Sequence, residues 1–266
     1  MQDQPLVSII TIVYNGEKHL QQTIESVLGQ SYKPIEYLVV DGGSTDNSLS
    51  IIRSYGERIA RWKSEKDRGI SDAFNKGLSM VSGEIIGIIN ADDWYEPEAV
   101  ERAVEALVGS DIVYGDLRLI KDGKTDFVLK GNHLFLDSEM TINHPTVFVR
   151  KDCYDRLGTF NEKYKCAMDY DLLLRFKLGG TRFRHVPNVL ANMRWEGMSD
   201  ARWLLGCQET LEIKNKYFPK KKLMNRLYFY KHILAIWASK FLARLKLDAI
   251  TRAYRSQISR VKKIYE

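Results

Sequence analysis

Glu84-Ile85-Ile86-Gly87-Ile88-Ile89-Asn90-Ala91-Asp92-Asp93 is the stretch on which the fold turns. Its apolar run has the composition of a strand covered on both faces, and it ends at once in an amide and two carboxylates. The same design occurs twice upstream. Val7-Ser8-Ile9-Ile10-Thr11-Ile12-Val13 is β-rich and mostly apolar, and Glu36-Tyr37-Leu38-Val39-Val40 stops at Asp41-Gly42-Gly43-Ser44-Thr45-Asp46. Helical patterns fill the gaps. Leu20, Ile24, Val27 and Leu28 recur at helical spacing between Glu17 and Gly29, and Leu49 and Ile52 mark a helix that Ser44 or Thr45 would cap. A short strand at Ile59–Ser64, a helix at Ser71–Val81, a helix after Pro97 and a strand at Asp111–Tyr114 continue the alternation. This predicts an α/β fold built on a mostly parallel, doubly wound sheet with right-handed crossovers. Ligands in such sheets bind beyond the carboxyl ends of the strands, where Asp41 and Asp92-Asp93 fall.

The second half is less regular. Pro145–Val149 reads as a strand, Asp169–Leu178 as a helix, and Arg182–Met193 as two strands broken at Pro187. Ala201–Phe218 is a helix stopping before Pro219, and Met224–Glu266 reads as helical and basic. The expected division is a catalytic unit over residues 1–215 and a basic, amphipathic appendage over 216–266.

Composition narrows the class. Hydrophobic residues at 44% and charged residues at 28% belong to an ordinary globular chain, so disorder is not the default. The three cysteines have no paired spacing, which points to free thiols in a reducing compartment. No secretory signal and no uninterrupted apolar stretch of about eighteen residues is present, so the expected location is cytoplasmic. The net charge of +6 is uneven. Residues 216–266 carry about fourteen Lys/Arg against two acids, roughly +12, which leaves about −6 for the rest. An acidic body with a basic tail is not the charge pattern of a nucleic-acid binder.

Three places hold side chains suited to chemistry. Asp92 and Asp93, with Asn90, could hold Mg²⁺ or Mn²⁺, hard ions that take few protein oxygens and keep positions for phosphate. The plain alternative is that one of them caps the helix after Pro97. Asp41 beside Gly42-Gly43 could accept a hydrogen bond from a ring N–H of a base; an ordinary turn is its alternative. Asp169 could act as general base towards an acceptor hydroxyl, or it could satisfy a helix dipole. His144 and the His133/Asp116 neighbourhood could line an acceptor pocket, although a histidine before proline is more often structural. Rossmann and Walker glycine fingerprints, zinc-binding histidine pairs and a nucleophile elbow are missing, which counts against NAD, ATP, zinc and serine-hydrolase chemistry.

Taken together these segments resemble family 2 glycosyltransferases, the inverting enzymes of the GT-A fold. The resemblance runs from Val7 to about Asp200. It rests on Ser8–Asn15, Val40–Asp46, Ser64-Glu65-Lys66-Asp67-Arg68-Gly69, Ile89–Asp93 and Met168-Asp169-Tyr170-Asp171-Leu172, in that order. It implies that Thr11, Tyr14 and Asn15 line a nucleotide pocket with Asp41 on a uracil-type ring, and that Asp67, Arg68 and Asn75 shape the nucleotide and phosphate wall. Asn90-Ala91-Asp92 falls on the family's Asp-x-Asp metal motif, making Asp92 the metal ligand with Asn90 and Asp93 on the donor side. Asp169 matches the base position, and His144 and Asp171 are acceptor-side candidates. The implied activity is transfer of a sugar from a nucleotide-diphosphate donor, UDP by default, to a saccharide or lipid-linked saccharide in surface-polysaccharide synthesis of the O-antigen type. Three departures stand out: Asn90 replaces the first acid, Met168 replaces a frequent Glu, and Trp195–Ser199 lacks a frequent His.

The tail adds a partner. Leu227, Tyr230, Leu234, Trp237, Phe241 and Leu245 form one apolar stripe flanked by Lys231, Lys240, Arg244 and Lys246. Such a helix suits the anionic inner face of a cell membrane; packing on the protein's own body or a partner subunit is the alternative. Two other classes stay in view. One is a catalytically silent, glycosyltransferase-like scaffold subunit, which Asn90 and Met168 keep alive. The other is a sugar nucleotidyltransferase, which expects a Gly-rich basic loop that Tyr14-Asn15-Gly16-Glu17 does not supply.

Overall fold

β1 (Val7–Val13) sets the frame, with all but one of its residues buried because it has sheet on both edges and a core on both faces. The computed structural model describes residues 4–194, 202–244 and 262–264. After β1 come α1 (Leu20–Leu28), β2 (Ile35–Asp41), α2 (Ser48–Ser54), β3 (Arg61–Ser64), α3 (Ile70–Leu78) and β4 (Ile85–Asn90). The chain continues with β5 (Trp94–Tyr95), α4 (Ala99–Ala106), β6 (Ile112–Lys121), β7 (Lys124–Lys130), β8 (Val147–Arg150) and α5 (Lys151–Leu157). α6 (Met168–Leu178), β9 (Phe183–Arg194), α7 (Trp203–Tyr217), α8 (Lys222–Arg244) and β10 (Lys262–Ile264) complete it.

β3, β2, β1 and β4 lie side by side and parallel. Strand order reverses at β1: the chain builds outward to β3, then crosses back through α3 to place β4 on β1's other edge. That reversal is the switch point at which open α/β sheets bind ligands. The register sets Val13 beside Asp41 and Ile12 beside Asn90. Beyond β4 the sheet is mixed, with β8 antiparallel to β4 and β6, and β9 parallel to β6. Helices cover both faces. Leu20, Ile24, Ile52 and Val100 close one core against Val7, Ile9 and Ile89, while Phe74, Tyr154, Leu173 and Phe176 close the other against Ile10 and Ile88.

Four sequence expectations need correction. Residues 182–193 do not form two strands. β9 is continuous, and Pro187 sits in a register shift, since Tyr114 pairs with His185 but Asp116 with Val189. A bulge absorbs the missing proline N–H without ending the strand. The tail is not helical throughout: β10 pairs antiparallel with β7, satisfying a strand edge that would otherwise be open. Neither Ser44 nor Thr45 caps α2, whose N-cap is Asn47. The boundary expected after residue 215 falls inside α7, whose Ile213 and Tyr217 pack into the second core. The Trp195–Ser199 loop, the Ala201 start of the expected helix, and Leu245 and Lys246 of the apolar stripe lie outside the described residues.

α8 divides its two faces cleanly. Leu227, Tyr230, Leu234, Trp237 and Phe241 are all exposed, so this stripe does not pack on the body. Among the described residues no helix is long and apolar enough to cross a membrane.

Candidate active site

The loops after β1 and β2 are zipped together by backbone amides and short polar side chains. Asn15 Oδ1 accepts the Thr45 N–H at 2.8 Å, and Ser44 Oγ accepts the Asn15 N–H at 2.8 Å. Ser48 Oγ accepts from Gly16 N–H, Asp46 Oδ2 accepts from Glu17 N–H, and Glu17 Oε2 accepts from Asn47 N–H, each at 2.9 Å. Asn15 itself has a φ of 51°, a left-handed conformation that asparagine tolerates better than most residues. The result is a rigid lip from which Tyr14 projects, 65% exposed.

Gly42 is where this lip meets the segment after β3. A Cβ there would lie 2.2 Å from Asp67 Oδ2 and 3.6 Å from the Tyr14 ring, so glycine allows Asp67 to close over β2's end. Asp67 Oδ1 accepts the Gly69 N–H at 2.9 Å, leaving Oδ2 facing Gly42. Asp41 is 0% exposed, and its carboxylate is held by the Ser44 N–H and the Ser44 and Ser64 hydroxyls. It therefore orients those hydroxyls and does not itself reach the surface. Thr11 needs a clearer correction. It is fully buried, and its hydroxyl accepts from Tyr37 at 3.0 Å inside the core, so it lines no pocket.

At the end of β4, Asp93 N–H closes a turn onto Asn90 O at 3.1 Å, and the Thr23 hydroxyl lies 2.6 Å from Asp93 O. Asn90 Nδ2 donates to Asp93 Oδ2 at 3.2 Å. Asn90 Oδ1 and Asp93 Oδ1 are buried without a hydrogen-bond partner, while Asp92 beside them is half-buried. Burial, reinforced by the neighbouring Asp92 charge, pushes the Asp93 carboxyl well above its ordinary range. Buried polar oxygens are rarely left unpaired, because desolvation then goes uncompensated. Two orphan oxygens beside a carboxylate form a hard, oxygen-only donor set, which fits Mg²⁺ or Mn²⁺. No cluster of three acidic, histidine or cysteine ligands occurs among the described residues, so such an ion would draw its remaining contacts from phosphate and water. Arg194 closes this corner. It donates to Asp92 O and to Gln22 Oε1 and stacks over Trp94 at 4.5 Å. Its role has no local signature in the sequence, since the end of β9 meets the turn after β4 through the pairing of β5 with β9, about a hundred residues apart.

Asp169 stands in the first turn of α6, on a cavity of about 350 Å³ whose other walls come mainly from α7, α8 and the Glu139-Met140 segment. Its Oδ1 accepts the Tyr170 N–H at 2.8 Å. Desolvation raises its pKa to about 6, and the nearby Glu209 adds to the shift. The segment before α6 also touches the segment after β3: Lys165 Nζ donates to Arg68 O at 3.2 Å, and the Ser71 hydroxyl to Tyr164 O at 2.9 Å. Four remaining candidates prove to be occupied within the chain. Arg68 pairs with Asp72 at 2.8 Å and Glu162 at 3.0 Å, although most of its side chain stays exposed. Asn75 spends both ends of its amide on the Phe160 backbone, each at 2.9 Å. His144 packs between Phe74 and Phe160, its pKa lowered by burial to about 4. Asp171 is 1% exposed and bonded to Arg175, Lys216 and Tyr217, so it anchors α7 to α6 and faces no acceptor.

The model of glycosyl transferase family 2 matches residues 8–174. An uncharacterised glycosyltransferase of Rickettsia typhi is 29% identical, over 94% of this chain and 83% of its own. A mannosyltransferase of Pyrobaculum calidifontis, solved with GDP-Man and Mn²⁺, aligns with a TM-score of 0.67 at 20% identity, over 97% of this chain and 84% of its own. S. aureus TarS 1–349 with UDP-GlcNAc gives 0.67 at 18% identity, over 90% and 73%. Against another TarS 1–349 structure the chain spans 64% of that protein, less than two thirds. At these identities the two structures share a fold with this chain.

Gly42→Ala tests the nucleotide lip. The new methyl group collides with Asp67, and nucleoside-diphosphate affinity measured by titration calorimetry should fall about tenfold, equivalent to about 1.4 kcal/mol. Unchanged affinity would remove Asp67 from the nucleotide wall.

Proposed function

We propose that this chain, which belongs to glycosyl transferase family 2, moves a sugar from a uridine diphosphate donor to a hydroxyl of a lipid-linked saccharide, with inversion at the anomeric carbon. Its membership makes it a glycosyltransferase that uses a nucleotide-sugar donor. The finer statement is carried by one observation: the unpartnered Asn90 and Asp93 oxygens beside Asp92, at the switch point next to the Tyr14–Asp67 lip.

In this reading the nucleotide lies against Tyr14, Asn15 and Asp67, with the Asp41-held hydroxyls of Ser44 and Ser64 offered to its ring edge. Asp92, with Asn90 and Asp93 at its side, would hold Mn²⁺ or Mg²⁺, which would supply positive charge for the departing diphosphate. Arg194 brings a fixed cation to the same corner. On the opposite side, Asp169 takes the proton from the acceptor hydroxyl as it attacks the anomeric carbon. Its raised pKa makes it a stronger base than an ordinary aspartate while leaving it mostly ionised at neutral pH. The cavity beside it receives the acceptor.

The acceptor's class is read from α8. One face of this helix contributes Tyr228 and His232 to the Asp169 cavity, and the other exposes Leu227, Tyr230, Leu234, Trp237 and Phe241. Lys220, Lys221, Lys222, Arg226 and Lys231 add positive charge to the same region. Aromatic and apolar groups flanked by lysines suit an anionic bilayer surface, and a lipid carrier lying in that surface would present its saccharide to the cavity.

Three outcomes are expected. Donor turnover, read as UDP release from a UDP-sugar with Mn²⁺, should fall on the order of 10²-fold in both Asp92→Asn and Asp169→Asn. In the wild type it should decline as pH falls through about 6, where Asp169 gains its proton. Full turnover in Asp169→Asn would remove it from the base role. For the surface, co-sedimentation with phosphatidylglycerol vesicles should drop at least about tenfold in a Leu234→Glu/Trp237→Glu variant. Equal sedimentation of both proteins would contradict membrane docking through α8.

A further inference from the structure

Asp169 depends on a residue that lies forty positions further along the chain. Glu209, in the middle of α7, is 7% exposed. Its Oε1 accepts the Lys165 N–H, and its Oε2 accepts the N–H groups of Cys166 and Ala167, each at 2.8 Å. Those three amides immediately precede α6, and none of the three has a partner within that helix. A carboxylate arriving from a different helix thus holds the backbone that leads into α6, whose N-cap, Ala167, makes no side-chain capping bond of its own.

The consequence is mechanical and electrostatic together. The segment pinned by Glu209 carries Asp169 two residues beyond its last bonded amide. On its other side it meets the nucleotide wall through Lys165 and Tyr164. We propose that Glu209 is a positioning residue for the transfer reaction: by gripping the 165–167 amides it fixes where Asp169 stands in the cavity and sets a second negative charge beside it. This rests on Asp169 being the base. Through Glu209 the C-terminal helices become part of the catalytic geometry as well as a candidate membrane surface.

Most of the other titratable groups around the cavity carry no charge near pH 7. Glu139, Arg202, Cys166, Cys207, Tyr228 and His232 face it from the neighbouring segments. Burial raises the two thiols and Tyr228 and lowers His232, so these four are neutral near pH 7. Glu139 accepts the Tyr228 hydroxyl at 3.0 Å, on the α8 side. Glu209 is the acidic neighbour whose charge bears on Asp169.

The test uses the full-length chain with ¹³C-labelled aspartate, Asp169→Asn identifying the Asp169 carboxyl signal. In the wild type that signal should titrate near pH 6. In Glu209→Gln, which keeps the side-chain length but removes the charge and one of the two accepting oxygens, the midpoint should fall by about half a unit. A Glu209→Gln protein with lowered melting temperature and an unmoved midpoint would reduce Glu209 to a structural tie and overturn the proposal. Glu209→Asp guards against misfolding of the first variant. It keeps the charge but shortens the arm, so the midpoint should stay high while UDP release from UDP-GlcNAc with Mn²⁺ falls about tenfold. Wild-type release from Glu209→Asp would likewise overturn the proposal. If Asp169→Asn releases UDP at the wild-type rate, the base assignment itself fails, which is a separate result.

Discussion

The parallel register of β1 between β2 and β4 is the constraint from which the rest follows. Pairing Val13 with Asp41 on one edge and Ile12 with Asn90 on the other puts two strand ends about 10 Å apart, with a single strand between them. A one-residue slip in either ladder would turn every buried side chain of that strand to the opposite face, so the two apolar cores enforce the register. The lip of Tyr14 and Asn15 and the acidic turn at Asn90–Asp93 are therefore placed by packing that lies well beneath them. In the proposed reading, a nucleotide diphosphate laid across this edge would span both.

Polar groups at this edge fall into two kinds. Those of the lip are satisfied within the chain: Asn15, Ser44, Ser48 and Asp46 all bond backbone amides, which makes the lip stiff. At the end of β4 the opposite holds, because Asn90 Oδ1 and Asp93 Oδ1 are desolvated and unpaired. Leaving such groups unpaired costs about 1–3 kcal/mol each, a cost that a bound ligand can recover. The substitution of Asn90 for an acid removes one charge from this corner but keeps an oxygen donor there. Arg194 stands beside it, so this corner carries a smaller negative field than two acids would present.

Much of this was legible in the sequence, for identifiable reasons. The strands β1, β2 and β4 are apolar runs ending in polar turns, and such runs read clearly as buried parallel strands. Asp92, Asp93 and Asp169 stand out as candidates because they sit next to those runs or open a helix. Residues whose partners lie far away could not. Arg194 reaches Asp92 across about a hundred residues and Glu209 reaches Cys166 across about forty, and neither leaves a local pattern. Thr11, Asn75 and Asp171 mislead in the opposite sense. Their motif positions suggest ligand contact, but each side chain turns inward to Tyr37, Phe160 or Tyr217. The β9 bulge was hidden because proline normally signals a strand break, and here a register shift accommodates it.

The most direct measurement is anomalous X-ray scattering from crystals grown with Mn²⁺ and UDP. A manganese peak in bonding contact with the Asp92 carboxylate, with Asn90 and Asp93 beside it and the diphosphate completing its shell, is the predicted result. UDP bound against Tyr14 and Asp67 with no manganese peak at Asp92, or with the peak at another site, would contradict the account.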